Sequence, residues 1–267
     1  MEDKLSHLIK TNLLKSLSFI LILSSVLLFS QKRIGLDSLQ TKNVQELLGD
    51  DYGNIYLYKN RDLSFTKYDS IGSQLGKLML TFPYKIQSVT NPLNIVMFSE
   101  NAQEIKFLDQ NLNEIQKINL NFGFIKAVYA EDLQFAWLLD DSNKTLFQYN
   151  FRNSSTISSF PFNINLQSLK DFLVYDNKVY ILKENSFEVY NTKATLLYSS
   201  PISNARKLRR NNSDILIFGS QAIQIFDGKT LSQIFKNEGA KIVDKNNAGF
   251  LALIKDKLYL YSQIIDN

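Results

Sequence analysis

The chain has no cysteine, and its single histidine, His7, lies within the first ten residues. It therefore forms no disulfide and offers no thiol nucleophile or thiolate ligand. Beyond His7 there is no imidazole either, which excludes a Ser-His-Asp triad and the usual zinc and copper sites. Glycine (10) and proline (4) are scarce, against collagen-like chains and calcium-binding glycine repeats. No glycine-rich phosphate loop or dinucleotide fingerprint occurs. The net charge of +4 is too small and too scattered to suggest nucleic acid. Beyond Glu2-Asp3 at the N-terminus, acidic pairs are few: Asp50-Asp51, Glu131-Asp132 and Asp140-Asp141. A calcium site needs roughly six to eight converging oxygens, and these pairs fall at hairpin turns, where they read as solvated turn residues. Two carboxylates can hydrolyse a glycoside, but nothing pairs these across strands. No catalytic residue, metal or cofactor is assigned, and the chain is not expected to be an enzyme.

Long apolar runs are also missing, with one exception. Leu17–Phe29 is broken only by Ser18, Ser24 and Ser25, is preceded by Lys4, Lys10 and Lys15, and is followed by the small residue Ser30. A basic flank, a short apolar core and a small exit residue read as a secretory signal peptide over residues 1–30. The run is shorter than the roughly 20 residues that span a bilayer, and no second one follows, so no membrane-spanning segment is expected after cleavage. Export without disulfides suits a bacterial periplasm, and the lack of cysteine excludes a lipoprotein anchor. The expected location is the periplasm, soluble or peripherally associated with the outer membrane.

What is present is a repeat. Six strand-like runs end in an Asp, Asn or Ser: Lys67-Tyr68-Asp69, Phe107-Leu108-Asp109, Gln148-Tyr149-Asn150, Val189-Tyr190-Asn191, Ile225-Phe226-Asp227 and Leu260-Tyr261-Ser262. Their third positions are 40, 41, 41, 36 and 35 residues apart. A period near 40 filled with short alternating strands indicates an all-β, six-bladed β-propeller with four strands per blade. The blades are expected at residues 43–81, 86–120, 125–161, 170–200, 204–236 and 240–262, in one domain spanning 31–267. The last copy stops after its third strand. Residues 33–40, with Ile34–Leu39 as the candidate strand, are expected to complete it and close the ring, since an open edge invites aggregation. Alternation in the second strands marks Ile55, Leu57, Ile95, Val96, Phe135, Trp137, Val179, Ile181, Ile215, Ile217, Leu251 and Leu253 as core.

Tyr68–Leu78 and Ile225–Phe235 resemble the aromatic-Asp-turn-strand phrase of propellers related to pyrroloquinoline-quinone dehydrogenases. Those enzymes carry a Trp in nearly every blade, whereas this chain has only Trp137, so cofactor binding is not carried over. Non-catalytic members of that group include a scaffold for outer-membrane barrel assembly. The Asn-, Lys-, Ile- and Phe-rich composition and a leader ending Phe29-Ser30-Gln31 resemble exported Bacteroidota proteins. Asp37-Ser38-Leu39 and Asp69-Ser70-Ile71 match the O-glycosylation acceptor pattern of that phylum. The repeat reaches to within five residues of the end, leaving no room for a type 9 sorting domain, so retention in the periplasm is expected. Among such proteins the chain resembles the plug subunit of the type 9 secretion translocon. The resemblance implies a protein partner in the envelope, an outer-membrane translocon barrel.

Two features suggest where a partner docks. Three connections between blades are apolar: Thr81-Phe82-Pro83-Tyr84-Lys85, Asn121-Phe122-Gly123-Phe124 and Phe160-Pro161-Phe162-Asn163-Ile164. Exposed, the rings of Phe82, Tyr84, Phe122, Phe124, Phe160 and Phe162 form a one-sided protein-binding face; tucked in, they are inter-blade packing. Arg206, Lys207, Arg209 and Arg210 lie on the first strand of the fifth copy, which lines the central channel. They suit an anionic ligand or an acidic partner loop, or else they are a solvated strand end paired with nearby acids.

Overall fold

The computed structural model describes residues 32–36, 39 and 41–262. The leader, Asp37 and Ser38 lie outside the described residues. Six four-stranded antiparallel sheets form a six-bladed β-propeller. Blade 1 holds β2 (Glu46–Gly49), β3 (Ile55–Lys59), β4 (Ser64–Tyr68) and β5 (Gln74–Met79). Blade 2 holds β6 (Lys85–Ser88), β7 (Ile95–Ser99), β8 (Glu104–Leu108) and β9 (Glu114–Asn119). Blade 3 holds β10 (Ile125–Ala130), β11 (Phe135–Asp140), β12 (Thr145–Asn150) and β13 (Ser155–Pro161). Blade 4 holds β14 (Leu169–Tyr175), β15 (Lys178–Lys183), β16 (Ser186–Asn191) and β17 (Leu196–Pro201). Blade 5 holds β18 (Ala205–Asn211), β19 (Asp214–Gly219), β20 (Ala222–Phe226) and β21 (Leu231–Lys236). Blade 6 holds β22 (Ile242–Asn246), β23 (Gly249–Ile254) and β24 (Lys257–Ser262), and β1 (Lys32–Leu36) completes it from the other end of the chain. The register runs from Lys32 opposite Ser262 to Leu36 opposite Leu258, so the ring is closed by hydrogen bonds as the repeat required.

The repeated phrase has a structural meaning. In blades 1 to 4 a register shift in the third strand falls within the triplet, at Lys67/Tyr68, Phe107/Leu108, Gln148/Tyr149 and Val189/Tyr190. The Asx that follows caps the turn into the outer strand. Asp69 Oδ1 accepts the amides of Ile71 and Ser73, and Asp109 Oδ1 accepts those of Asn111 and Asn113. Asn191 repeats the pattern with Lys193 and Thr195, and Asp227 with Lys229 and Thr230. Bulge and Asx cap together bend the chain back on itself.

The core lies between blades. Six apolar clusters each join two neighbouring blades; one unites Tyr56 and Phe65 of blade 1 with Ile86, Ile95 and Met97 of blade 2. Second strands are consequently buried on both faces, and β7 is buried at every position. Eleven of the twelve expected core positions are buried, but Phe135 is only half-buried. It opens β11 at the end of its blade, opposite Asn150, where the neighbouring blade no longer covers it.

Asp50 and Asp140 sit at turns, but they are buried rather than solvated. Asp50 accepts the amides of Tyr52 and Asn54 and the Tyr56 hydroxyl, at 2.8–2.9 Å. Asp140 takes Ser142 and Asn143, plus the Phe124 amide of the preceding connection. Gly123 makes that last bond possible: its φ is +60°, and a Cβ there would lie 1.9 Å from Asp140 Oδ2.

Candidate functional site

The inner strands β2, β6, β10, β14, β18 and β22 surround the axis, and a bulge in four of them sets a residue out of alternation. These residues are Gln87, Lys126, Lys170 and Arg206. A bulge re-aims a side chain, and three of the four reach polar partners near the axis. Gln87 Oε1 accepts the Ala130 amide, Lys126 pairs with Glu100 at 2.6 Å, and Arg206 pairs with Glu46 at 2.7 Å. Strict alternation would have kept Arg206 out of register with Lys207 and Arg209; the bulge brings all three inward.

The basic strand β18 fans across the hub. Arg206 ties blade 5 to Glu46 of blade 1 and to the Val243 carbonyl of blade 6. Lys207 is buried, and its Nζ donates to the Ile86 carbonyl of blade 2, diametrically opposite. Arg209 Nη2 lies 2.6 Å from Asp244, which is fully buried, and Arg209 also donates to the Lys245 carbonyl. Lys85 of blade 2 reaches Asp171 of blade 4 at 2.7 Å, and Asp171 also accepts the Leu208 amide. Burial is the main cause of a Lys207 pKa lowered to about 8. The cluster pairs with acids as the second reading expected, but only Arg210 is exposed; Arg206, Lys207 and Arg209 are tied into the protein.

Lys207 divides the axial space, because it lines a cavity at each mouth. The cavity of about 360 Å³ opens on the face of the inter-blade connections, among Glu46, Pro83, Tyr84, Lys85, Glu100, Lys126 and Arg206. The cavity of about 220 Å³ opens on the opposite face, where the turns between first and second strands lie, among Thr90, Asn94, Tyr129, Glu131, Arg209 and Arg210. A groove of about 410 Å³ shares Tyr129, Glu131 and Arg210 with it and runs between blades 3 and 4 past Trp137 and Tyr175.

The aromatic connections divide. Phe82 and Phe124 are exposed at 46% and 42%, while Phe122 and Phe160 are half-buried and Tyr84 and Phe162 are buried at 4% and 0%. The Tyr84 hydroxyl donates to Glu104. Burial raises the Tyr84 pKa, and Glu104 adds to the rise. The Glu104 carboxyl is pushed up by burial but held below its usual range by hydrogen bonds from Tyr84 and Lys117 and by Lys106. Phe162 packs edge-on against Tyr190 of blade 4. An exposed ring of six aromatics is thus corrected to two exposed residues, with the other four contributing to packing between blades.

Sequence reasoning missed a different set. Tyr52, Ile71, Leu93 and Leu133 are exposed in the turns of blades 1 to 3. Their only signal was a lone apolar residue inside a polar turn, as in Asp51-Tyr52-Gly53 and Pro92-Leu93-Asn94. With Phe82 and Phe124, every large exposed apolar side chain in a described loop belongs to the first three blades or their connections. The other exposed apolar residues, such as Leu75, Ile115, Leu197 and Ile234, lie on outer strands around the rim.

Fold and site define a closed β-propeller with a polar, cross-braced hub and apolar loops on one half of the ring. No protein-family model matches the sequence, and no curated protein matches it. Among solved structures it is similar to streptogramin B lyase, with a TM-score of 0.53 and 11% identity over 88% of each chain. It also matches BamB from Moraxella catarrhalis, with a TM-score of 0.38 and 13% identity over 83% of this chain and 75% of that one. At such identity the likeness to the lyase is one of fold alone.

Proposed function

We propose that this propeller is an exported, non-catalytic binding protein that works in the periplasm. There it holds a subunit of the outer-membrane secretion or assembly machinery, plugging or scaffolding a translocon of the type 9 kind. The observation that carries the reading is the confinement of exposed apolar loops to blades 1 to 3: Tyr52, Ile71, Leu93 and Leu133 on the turn face, and Phe82 and Phe124 on the face of the inter-blade connections. Exposed apolar side chains gathered on one half of the ring are what a protein-contact surface offers. The leader supplies export, and the lack of any imidazole or thiol beyond residue 7 removes histidine bases and thiol nucleophiles.

The test is co-purification from a mild detergent extract of the source envelope, using a C-terminal tag. The parent should bring down an outer-membrane barrel subunit. A variant with those six residues changed to Ser should lose it while melting at an unchanged temperature. A rim variant, Leu197→Ser with Ile234→Ser, should keep it. Full capture by the six-residue variant, or no envelope subunit held by the parent, overturns the proposal.

A further inference from the structure

The mouth on the turn face carries polar groups that the protein itself does not use. Arg210 stacks its guanidinium on Tyr175, 3.7 Å from the ring centroid, and spends its Nε on the Asn212 carbonyl at 2.9 Å. Its Nη groups make no hydrogen bond among the described residues. The Tyr129 hydroxyl likewise has no partner among them, and Asn94 Oδ1 is buried without one. All three residues line the 220 Å³ cavity.

The acids of these walls, by contrast, are occupied. Glu131 takes Trp137 Nε1 at 3.1 Å and Gln148 Nε2 at 2.9 Å. Asp171 takes Lys85 and the Leu208 amide, and Asp176 has Lys178 at 3.7 Å. Lys207 and Arg209 are committed to the hub. The unspent capacity is therefore a stacked, oriented cation beside a phenol donor, with Tyr129 as a wall of the cavity and Tyr175 and Trp137 lining the adjoining groove. Stacking fixes the guanidinium plane and leaves its Nη edge to face a planar anion.

We propose that this cavity binds a sugar acid of monosaccharide size, its carboxylate on Arg210, a hydroxyl on Tyr129, and its apolar ring face against the Tyr129 ring. A deep volume of about 220 Å³ falls short of the ~300–1,000 Å³ that holds drug-sized ligands, which sets one ring rather than a chain. The site goes beyond the protein-holding role and uses none of the six apolar loop residues.

The chain's single tryptophan, Trp137, lines the groove that shares Tyr129, Glu131 and Arg210 with this cavity, so its emission reports from beside the site. Titration with glucuronate and galacturonate should give a saturable change in the parent. Arg210→Gln, at an exposed position, should fold normally and bind at least tenfold more weakly. Lys236→Gln, remote on the rim, should match the parent. Equal response to glucose overturns the assignment of the carboxylate, and equal response to acetate or inorganic phosphate overturns the sugar. Response to an acidic peptide but to neither sugar acid overturns the proposal in favour of a protein loop. Silence towards both sugar acids, or undiminished binding by Arg210→Gln, also defeats it. The six-residue loop variant should titrate like the parent, so failure of the partner experiment and failure of this one are separable.

Discussion

Replacing Lys207 with Met should change how stability depends on pH. Burial lowers the pKa of Lys207 from 10.5 to about 8, Asp171 and Glu46 pull it back up, and Lys85 and Arg209 push it further down. A lysine whose folded pKa lies below its unfolded one binds fewer protons in the native state between the two values. Folding is therefore favoured as pH rises through that window, and the penalty of burying the charge is fully present below about pH 8. At 1.36 kcal/mol per unit, the gap amounts to about 3 kcal/mol. Methionine keeps the length of the side chain and removes the amine, at the cost of leaving the Ile86 carbonyl without its donor, ~1–3 kcal/mol at every pH. Urea unfolding of both proteins from neutral pH to about 10 should show the parent gaining on the variant by about 1 kcal/mol per unit above pH 8. The buried Tyr56 and the half-buried Tyr129 and Tyr190 have raised pKa values, desolvation being the main cause. They lose stability only as pH passes their unfolded value near 10, equally in both proteins, so the difference isolates Lys207. Parallel pH curves would refute the reasoning, because they would mean that the ammonium is solvated on the axis.

The Arg209–Asp244 pair is the second test of the hub. Arg209→Met leaves the fully buried Asp244 without its cation and should cost ~3–5 kcal/mol in chemical denaturation; a loss below about 1 kcal/mol would mean that Asp244 is neutral or hydrated. Deleting residues 32–40 removes β1 and with it the buried Leu36 and Leu39. These two side chains alone contribute ~3–6 kcal/mol. The melting temperature should fall by roughly 10 °C or more and aggregation should become concentration-dependent, whereas an unchanged melt would show that the ring does not depend on this strand.

The ring was legible in the sequence because its signal is local. Asp69, Asp109, Asn150, Asn191 and Asp227 each bind backbone amides two to four residues ahead, so the chemistry of each hairpin is written within one turn. The hub was only half legible. The four cations of β18 stood out as a cluster, but their partners are distant in the chain: Lys207 meets Ile86 and Arg206 meets Glu46. The bulge that turns Arg206 inward leaves no mark in the residue types. The aromatic connections misled for a related reason. Phe82 and Phe162 occupy equivalent apolar connections, yet one is exposed and the other buried against Tyr190, and only the neighbouring blade decides which.

On the proposed function, hub and loops divide the labour between stability and recognition. Blades 4 to 6 build the same four-stranded sheets as blades 1 to 3 without any large exposed apolar residue in their described loops. The fold therefore does not require Tyr52, Ile71, Phe82, Leu93, Phe124 or Leu133 to be apolar. Left in water, each forgoes the ~1.5–3 kcal/mol that full burial of such a side chain contributes and together they invite self-association. A partner that covers the first three blades recovers part of that free energy, less the cost of association. The cross-braced hub ties blades 1 and 2 to blades 4 and 5 through Glu46, Ile86 and Lys85, so such a partner would meet a braced surface.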